Sequence, residues 1–363
     1  MAAFFYFSDA DRFWLEGKTA PFQETPEGSA RERLAPGAGG VTLAAVGDVM
    51  LARKVGRLIE QKGTDYPLAE LGKELRQYDV AFANLESPIS QKGWPLPGKA
   101  LCFRAHPRTV NSLLAGGIDI VSLANNHAVD YDSPALLETI ELLQNAGIAA
   151  VGAGSSIDQA RRPAVLEREG IRLAFLAYSD LADVYFSTKY KRPARASADR
   201  PGVAPLDMAM MLEDVAYAST QADYVIVSVH WGTEYTSQPA AAQVEMAHSL
   251  IDAGADVIIG HHPHWLQGIE VYKGGIIAYS LGNFVFDQNW SDETREGLVL
   301  EVVFSRGRPL QARARPVWIA ESQPVWAEGE RGERLRKFLV KLSGDLSTPA
   351  TVIGDWVEYR AAN

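Results

Sequence analysis

Three imidazoles within four residues, at His261-His262-Pro263-His264, are costly to place in a purely structural role, because each buried ring nitrogen needs a partner. Four other segments carry similar chemistry: Gly47-Asp48, Asn84-Leu85-Glu86, Asn125-Asn126-His127 and His230-Trp231-Gly232. Taken singly each has an ordinary reading. Gly47-Asp48 is a turn, Glu86 a satisfied carboxylate, Asn-Asn-His a capping sequence and His230 a core histidine. Taken together they hold five of the chain's seven histidines, alongside Asp, Glu and Asn, the side chains that suit Zn, Fe or Mn. Two such ions about 3.5–4 Å apart activate water and clamp both oxygens of a displacement at phosphorus. The conjunction is what argues for a site.

The elements that must position these residues are legible as short apolar runs. Val41–Val46, Val80–Ala83, Ile118–Leu123, Leu173–Tyr178, Tyr224–Val229, Val257–Ile259, Ile276–Tyr279 and Leu298–Phe304 read as buried strands. Helical patterns at Pro134–Ala146, Asp207–Gln221 and Gln243–Ala253 fall between several of them, which predicts an α/β architecture. Each of the five chemical segments follows a strand directly, at the edge where open α/β sheets build ligand sites. Residues 1–40 end in a turn-rich stretch of small residues and read as an arm or extension. Residues 41–320 read as the domain, and 321–363 as a helical extension packed on it, with a surface helix at Arg331–Leu342.

Composition narrows the function classes. The 363 residues are 47% hydrophobic and 22% charged, enough apolar material for a sizeable core. A net charge of −10 argues against nonspecific nucleic-acid binding, which needs a surplus of Lys and Arg. The single cysteine, Cys102, cannot form an intrachain disulfide. No run reaches the roughly 18–20 apolar residues of a membrane span, and the N-terminus lacks the pattern of a secretory signal. The expectation is a cytoplasmic protein.

The motifs also resemble a known family. Gly-Asp-Val-Met-Leu, Asn-Leu-Glu-Ser-Pro, Ser-Leu-Ala-Asn-Asn-His, His-Trp-Gly-Thr-Glu-Tyr, Gly-His-His-Pro-His and Tyr-Ser-Leu-Gly-Asn-Phe-Val-Phe-Asp occur in order from about Val41 to Asp287. They look like the CapA-type poly-γ-glutamate capsule biosynthesis proteins, which are similar to the calcineurin-like metallophosphatases. The resemblance implies a four-layer α/β/β/α sandwich of two mixed sheets with the site at one edge. It implies that Asp48, Glu86 and His264 hold a first divalent metal and Asn126, His230 and His262 a second, Glu86 bridging. Asp48, Asn126 and His127 are then the catalytic residues, with His127 as general acid. One or two ions of Mn, Fe or Zn are the expected cofactor.

Two positions depart from the pattern. Metallophosphatases carry Asp-x-His at the first motif, whereas the third position here is Met50, whose thioether suits a hard metal poorly. After Asn-Asn-His the family continues to Asp-x-Gly, whereas Asp132 stands at the glycine position. Asp132 or Ser133 can cap a helix there, with Pro134 in its first turn. Arg53, Arg104, Trp231, Glu234, Tyr235 and His261 flank the motifs and are the expected substrate contacts. The two arginines read equally well as surface ion pairs, and His261 as a support behind the ligands. Asn283 and Asp287 are expected to support the site from behind.

The leading functional expectation is a metal-dependent hydrolase acting on a small anionic, phosphoester or polyglutamate-related substrate. Metal-independent acid/base chemistry on a glutamyl or peptidyl substrate is one alternative. A non-catalytic accessory role in capsule synthesis is the other.

Overall fold

A computed structural model describes residues 39–186, 190–307 and 309–360. Apart from its last two residues, the arm read at 1–40 lies outside them.

Strand alternation generates the layers. In the Val41–Val49 strand, Val41, Leu43 and Ala45 face one way into one apolar cluster, while Ala44 and Val46 face the other way into a second. That strand is central in a large sheet, parallel to Val80–Leu85, which continues in parallel through Ile120–Ser122 to Ala149–Val151. On its other side it runs antiparallel to Glu296–Phe304, followed by Gln311–Ala320, Trp356–Tyr359 and Ala350–Ile353. The segment after Glu321 thus supplies strands to this sheet besides the expected helix, which runs Gly329–Asp345.

The second sheet has the order Ile269–Tyr272, Gly275–Ala278, Val257–His261, Tyr224–His230, Ile171–Ser179, Ala164–Arg168, parallel in its centre and antiparallel at both edges. The two sheets pack face to face. Leu43 and Phe82 share a buried cluster with Phe175, Ile226, Val257 and Ile259, and the Phe82 and Phe175 rings stack at 6.0 Å. Helices cover the outer faces. Val55, Ile59, Leu113 and Leu143 seal the first sheet, and Met211, Val215, Ala247 and Leu250 the second. The protein is a four-layer α/β/β/α sandwich of mixed sheets, as the motifs implied.

Local chemistry explains the helix starts. Asp207 caps Met208–Gln221 by accepting from the Met210 amide at 3.3 Å. Asp132 opens Asp132–Asn145 with φ +61, a left-handed conformation that a glycine adopts without strain. Its carboxylate accepts from the Ser133 amide (2.7 Å), Arg192 Nε (2.9 Å) and the Tyr190 hydroxyl (3.0 Å). Those bonds hold the conformation, so the departure from Asp-x-Gly is structural.

Candidate metal centre

The C-terminal ends of strands from both sheets converge, and their side chains form one buried cluster. A bulge between Ala45 and Asp48 turns the Asp48 carboxylate towards the second sheet. There Oδ1 accepts from Asn84 Nδ2 at 2.8 Å and lies 3.2 Å from His261 Nδ1, while Oδ2 lies 3.3 Å from His264 Nδ1. Glu86 is fixed through its backbone, its amide donating to Val49 O at 2.8 Å. Its carboxylate is wholly buried, and neither oxygen has a hydrogen-bond donor among the described residues. The nearest imidazole nitrogens are His264 Nε2 at 3.8 Å and His127 Nε2 at 3.9 Å. Asp48, Glu86 and His264 each offer a ligand atom, all within 4.8 Å of one another.

A second group adjoins them. His230 Nε2 is 3.0 Å from Asn126 Oδ1, and its ring centre is 4.7 Å from that of His262. The backbone here is strained: His262 has φ +96 and His264 φ +57, conformations that cost of order 1–3 kcal/mol each and persist where a site over-determines them.

Electrostatics favours a cation. Burial, more than any other cause, pushes His127 down to about 4 and His262 down to about 3, and carries His230 well below its usual range. The rings are therefore neutral at physiological pH, with lone pairs available. Burial and the neighbouring Asp48, Glu234 and Asp130 charges push Glu86 well above the usual carboxylate range, against a smaller opposing effect of Lys99. Asp48 goes the other way: burial raises it, but hydrogen bonds and charges from His261 and His264 together hold it low. Two buried carboxylates, one without donors, beside neutral imidazoles form a donor set that a divalent metal fits.

The flanking residues sort differently from expectation. Trp231 is a core residue: the period of two that turns Val225, Val227 and Val229 to the outer helices turns Trp231 there too. Its indole is buried against Tyr279 and donates to Tyr279 O at 3.1 Å, so no substrate reaches it. By the same rule His261 follows Val257 and Ile259 into the space between the sheets. It is fully buried, 6.0 Å from the Phe82 ring, and stands behind Asp48 rather than before a substrate. Arg104 is exposed, stacked over the Tyr131 ring at 4.1 Å.

Arg53 lies beside Phe103, the residue that stacks on His127. Its exposed guanidinium lies over the Phe103 ring at 5.2 Å, and its fork is held by Asp287 (2.8 and 3.2 Å). Asp287 also accepts from the Lys54 amide at 3.1 Å, which makes it a cap of the Arg53–Lys62 helix. Glu234 is exposed. Tyr235 lies 6.1 Å from the His264 ring, its hydroxyl pushed up by burial and Glu234. Asn283 Oδ1 accepts from His264 Nδ1 at 2.9 Å, while its Nδ2 donates to Gln288 Oε1 and Thr294 O, so it supports the ring from behind.

Some residues of the cluster carried no expectation. Asn84 joins the halves, contacting Asp48, His230 and Asn125. It lies two residues beyond the inward Phe82, so its direction was readable from the strand period. Asp130 binds His127 Nδ1 at 2.6 Å, and Phe103 stacks on the His127 ring at 3.8 Å. Asp130 is the acid of the Asp-x-Gly position that follows Asn-Asn-His, although no role was read for it, and nothing local marks Phe103. Met50, at the position where a histidine ligand was missed, is buried in the cluster on the helix side, its sulfur 3.1 Å from the Ala52 amide.

Residues 42–288, which include every member of this cluster, match the model of the bacterial capsule synthesis protein family PGA_cap. The chain belongs to that family. A capsule biosynthesis protein CapA from Bacillus anthracis is 34% identical over 71% of this chain and 63% of its own length. A PGA biosynthesis protein CapA from Bacillus subtilis is 34% identical over 77% and 72%. A probable polyglutamine synthesis accessory protein from Mycobacterium tuberculosis H37Rv is 36% identical over 67% and 66%. The chain thus spans about two thirds of the length of these relatives. CapA proteins belong to the metallophosphatase-like superfamily, which accords with the four layers and with the site at the strand ends. No described helix is long and apolar enough to cross a membrane.

Proposed function

We propose that this PGA_cap protein is a metal-dependent hydrolase acting on an anionic substrate, a phosphoester or a glutamyl polymer or peptide. One observation carries the reading: the buried Glu86 carboxylate, without donors among the described residues, beside Asp48 and His264. A charge so placed calls for a proton or a cation. Asp48, Glu86 and His264 would hold one ion; Asn126, His230 and His262 would hold a second. Such an ion supplies Lewis acidity and neutralises charge on the scissile group. Asn126, on the rim beside His230, orients a substrate oxygen. His127 Nε2 faces Glu86 and is placed to exchange a proton with the reacting group. The open edge of Arg53 meets the substrate's negative charge at the mouth.

Metal content per chain, measured by plasma mass spectrometry on wild type and His264→Ala purified without chelator, tests this. One or two equivalents of Mn, Fe or Zn are expected in wild type and a clear loss in the variant, with wild type cleaving members of a phosphoester and γ-glutamyl panel. No metal in wild type, and none taken up on incubation, would sink the proposal.

Met50 favours one other reading, an accessory role without catalysis. With its thioether turned to the helices, the first ion would have three protein ligands. Stoichiometric metal with no turnover on the panel would point that way.

A further inference from the structure

We infer that Lys99 is a positioning residue for His127: through Asp130 it fixes the ring proton on Nδ1 and leaves the Nε2 lone pair facing Glu86. This rests on the reading of the cluster as the reacting site, and it fixes which ring nitrogen His127 presents there.

Lys99 comes from the loop between the Val80–Leu85 strand and the helix at Val110–Gly116, and its side chain is 5% exposed. The ammonium has two oxygen partners. It donates to Asn126 O at 2.6 Å and forms a short ion pair with Asp130 Oδ1. Its third side lies over the Phe186 ring at 4.2 Å. Asp130 is fully buried, and its other oxygen accepts from the Phe103 amide at 2.6 Å. A carboxylate that accepts from an ammonium and an amide is an acceptor only, so at the 2.6 Å contact His127 Nδ1 must be the donor. Phe103, stacked on the ring, blocks its rotation. With the proton on Nδ1, the neutral ring can take a proton at Nε2 but has none to give there. Nε2 is therefore the ring nitrogen presented to the reacting site, and the proton held on Nδ1 takes no part in exchange there. Because Lys99 also grips the Asn126 carbonyl, one ammonium braces both neighbouring residues.

The test is nitrogen-15 NMR of histidine-labelled, chelator-treated full chain, in which no cation competes for Nε2. Wild type is expected to show His127 with a protonated Nδ1 and a bare Nε2. Lys99→Met is expected to shift that ring towards a mixture of tautomers. His106 and His248, which lie outside the cluster, should keep their wild-type signals and report that the variant is folded. A bare Nδ1 in wild type overturns the inference. So does a folded Lys99→Met whose His127 signals match wild type. The wild-type measurement decides even where the variant fails to fold. Both readouts are independent of metal content and turnover, so failure of the hydrolase reading leaves them unchanged.

Discussion

Replacing Glu86 by glutamine should stabilise the metal-free protein and remove its response to metal. In the chelated chain the carboxylate is fully buried with no donor to either oxygen among the described residues, and its ligand atom lies within 4.8 Å of that of Asp48. Two unit charges at that separation, at an effective dielectric of about 20, repel by about 3 kcal/mol. Burial and Asp48 therefore raise the Glu86 pKa in the folded state above its unfolded value. The sign follows from linkage. Above the unfolded pKa the folded chain binds the extra proton, so wild-type stability falls as pH rises, by at most about 1.4 kcal/mol per unit, until the folded pKa is passed. Glutamine does not titrate. Glu86→Gln should thus match wild type near pH 4 and exceed it at pH 8 by about 1–3 kcal/mol, the upper figure being the full repulsion. Chemical denaturation of both proteins in chelator across that range measures the gap. Adding Mn²⁺ or Zn²⁺ should reverse the order, because only a chain that binds the ion gains from mass action, about 2.7 kcal/mol at a hundredfold excess over Kd. A variant less stable than wild type at pH 8 in chelator, with a gap that does not change with pH, would refute the picture of an uncompensated carboxylate.

Asp256 obeys the same linkage away from the centre: burial outweighs its bond from the Val225 amide (2.7 Å) and raises it to about 6. The group is partly exposed, so Asp256→Asn should gain about 1 kcal/mol at pH 7 and almost nothing at pH 4, read by denaturant midpoints. Gly260→Ala should cost at least about 3 kcal/mol or abolish folding, since a Cβ there would stand 1.9 Å from the Tyr279 carbonyl oxygen, which cannot yield as a flexible side chain would. A soluble Gly260→Ala protein with an unchanged melting temperature would contradict that contact. Trp231→Phe should lose the indole bond to Tyr279 O, about 1–2 kcal/mol, yet leave Michaelis constants on any substrate found unchanged. A large rise in KM would return Trp231 to the substrate's reach.

How far the sequence could be read depended on whether the governing interaction was local. Strands such as Tyr224–His230 and Val257–His261 announce themselves because a buried central strand needs an unbroken apolar run, and their ends place His230 and the His261–His264 segment at one edge. The same period, carried one or two residues further, separates Trp231 from His230 and His261 from His262. Adjacent residues of a strand end in different layers, so nearness to a motif in sequence was a poor guide to nearness to the substrate. Lys99 lay beyond such reasoning, since its pairing with Asp130 joins positions 31 residues apart through a loop with no periodicity. Strands 323–326, 350–353 and 356–359 were obscured by their length, since four residues are too few to show a period against the helix and turns around them.

The Met50 substitution takes its meaning from the same geometry. Beyond the bulge at Asp48, residue 50 faces the helices, where Met50 packs with Val55 and Ile59. A histidine on this backbone would bury its ring in that apolar cluster rather than reach Glu86. That residue 50 offers no ligand is thus a property of how the strand leaves the sheet, and Met50→His alone should not add one. Metal content of that variant above wild type would show instead that the strand end can turn over to present the ring.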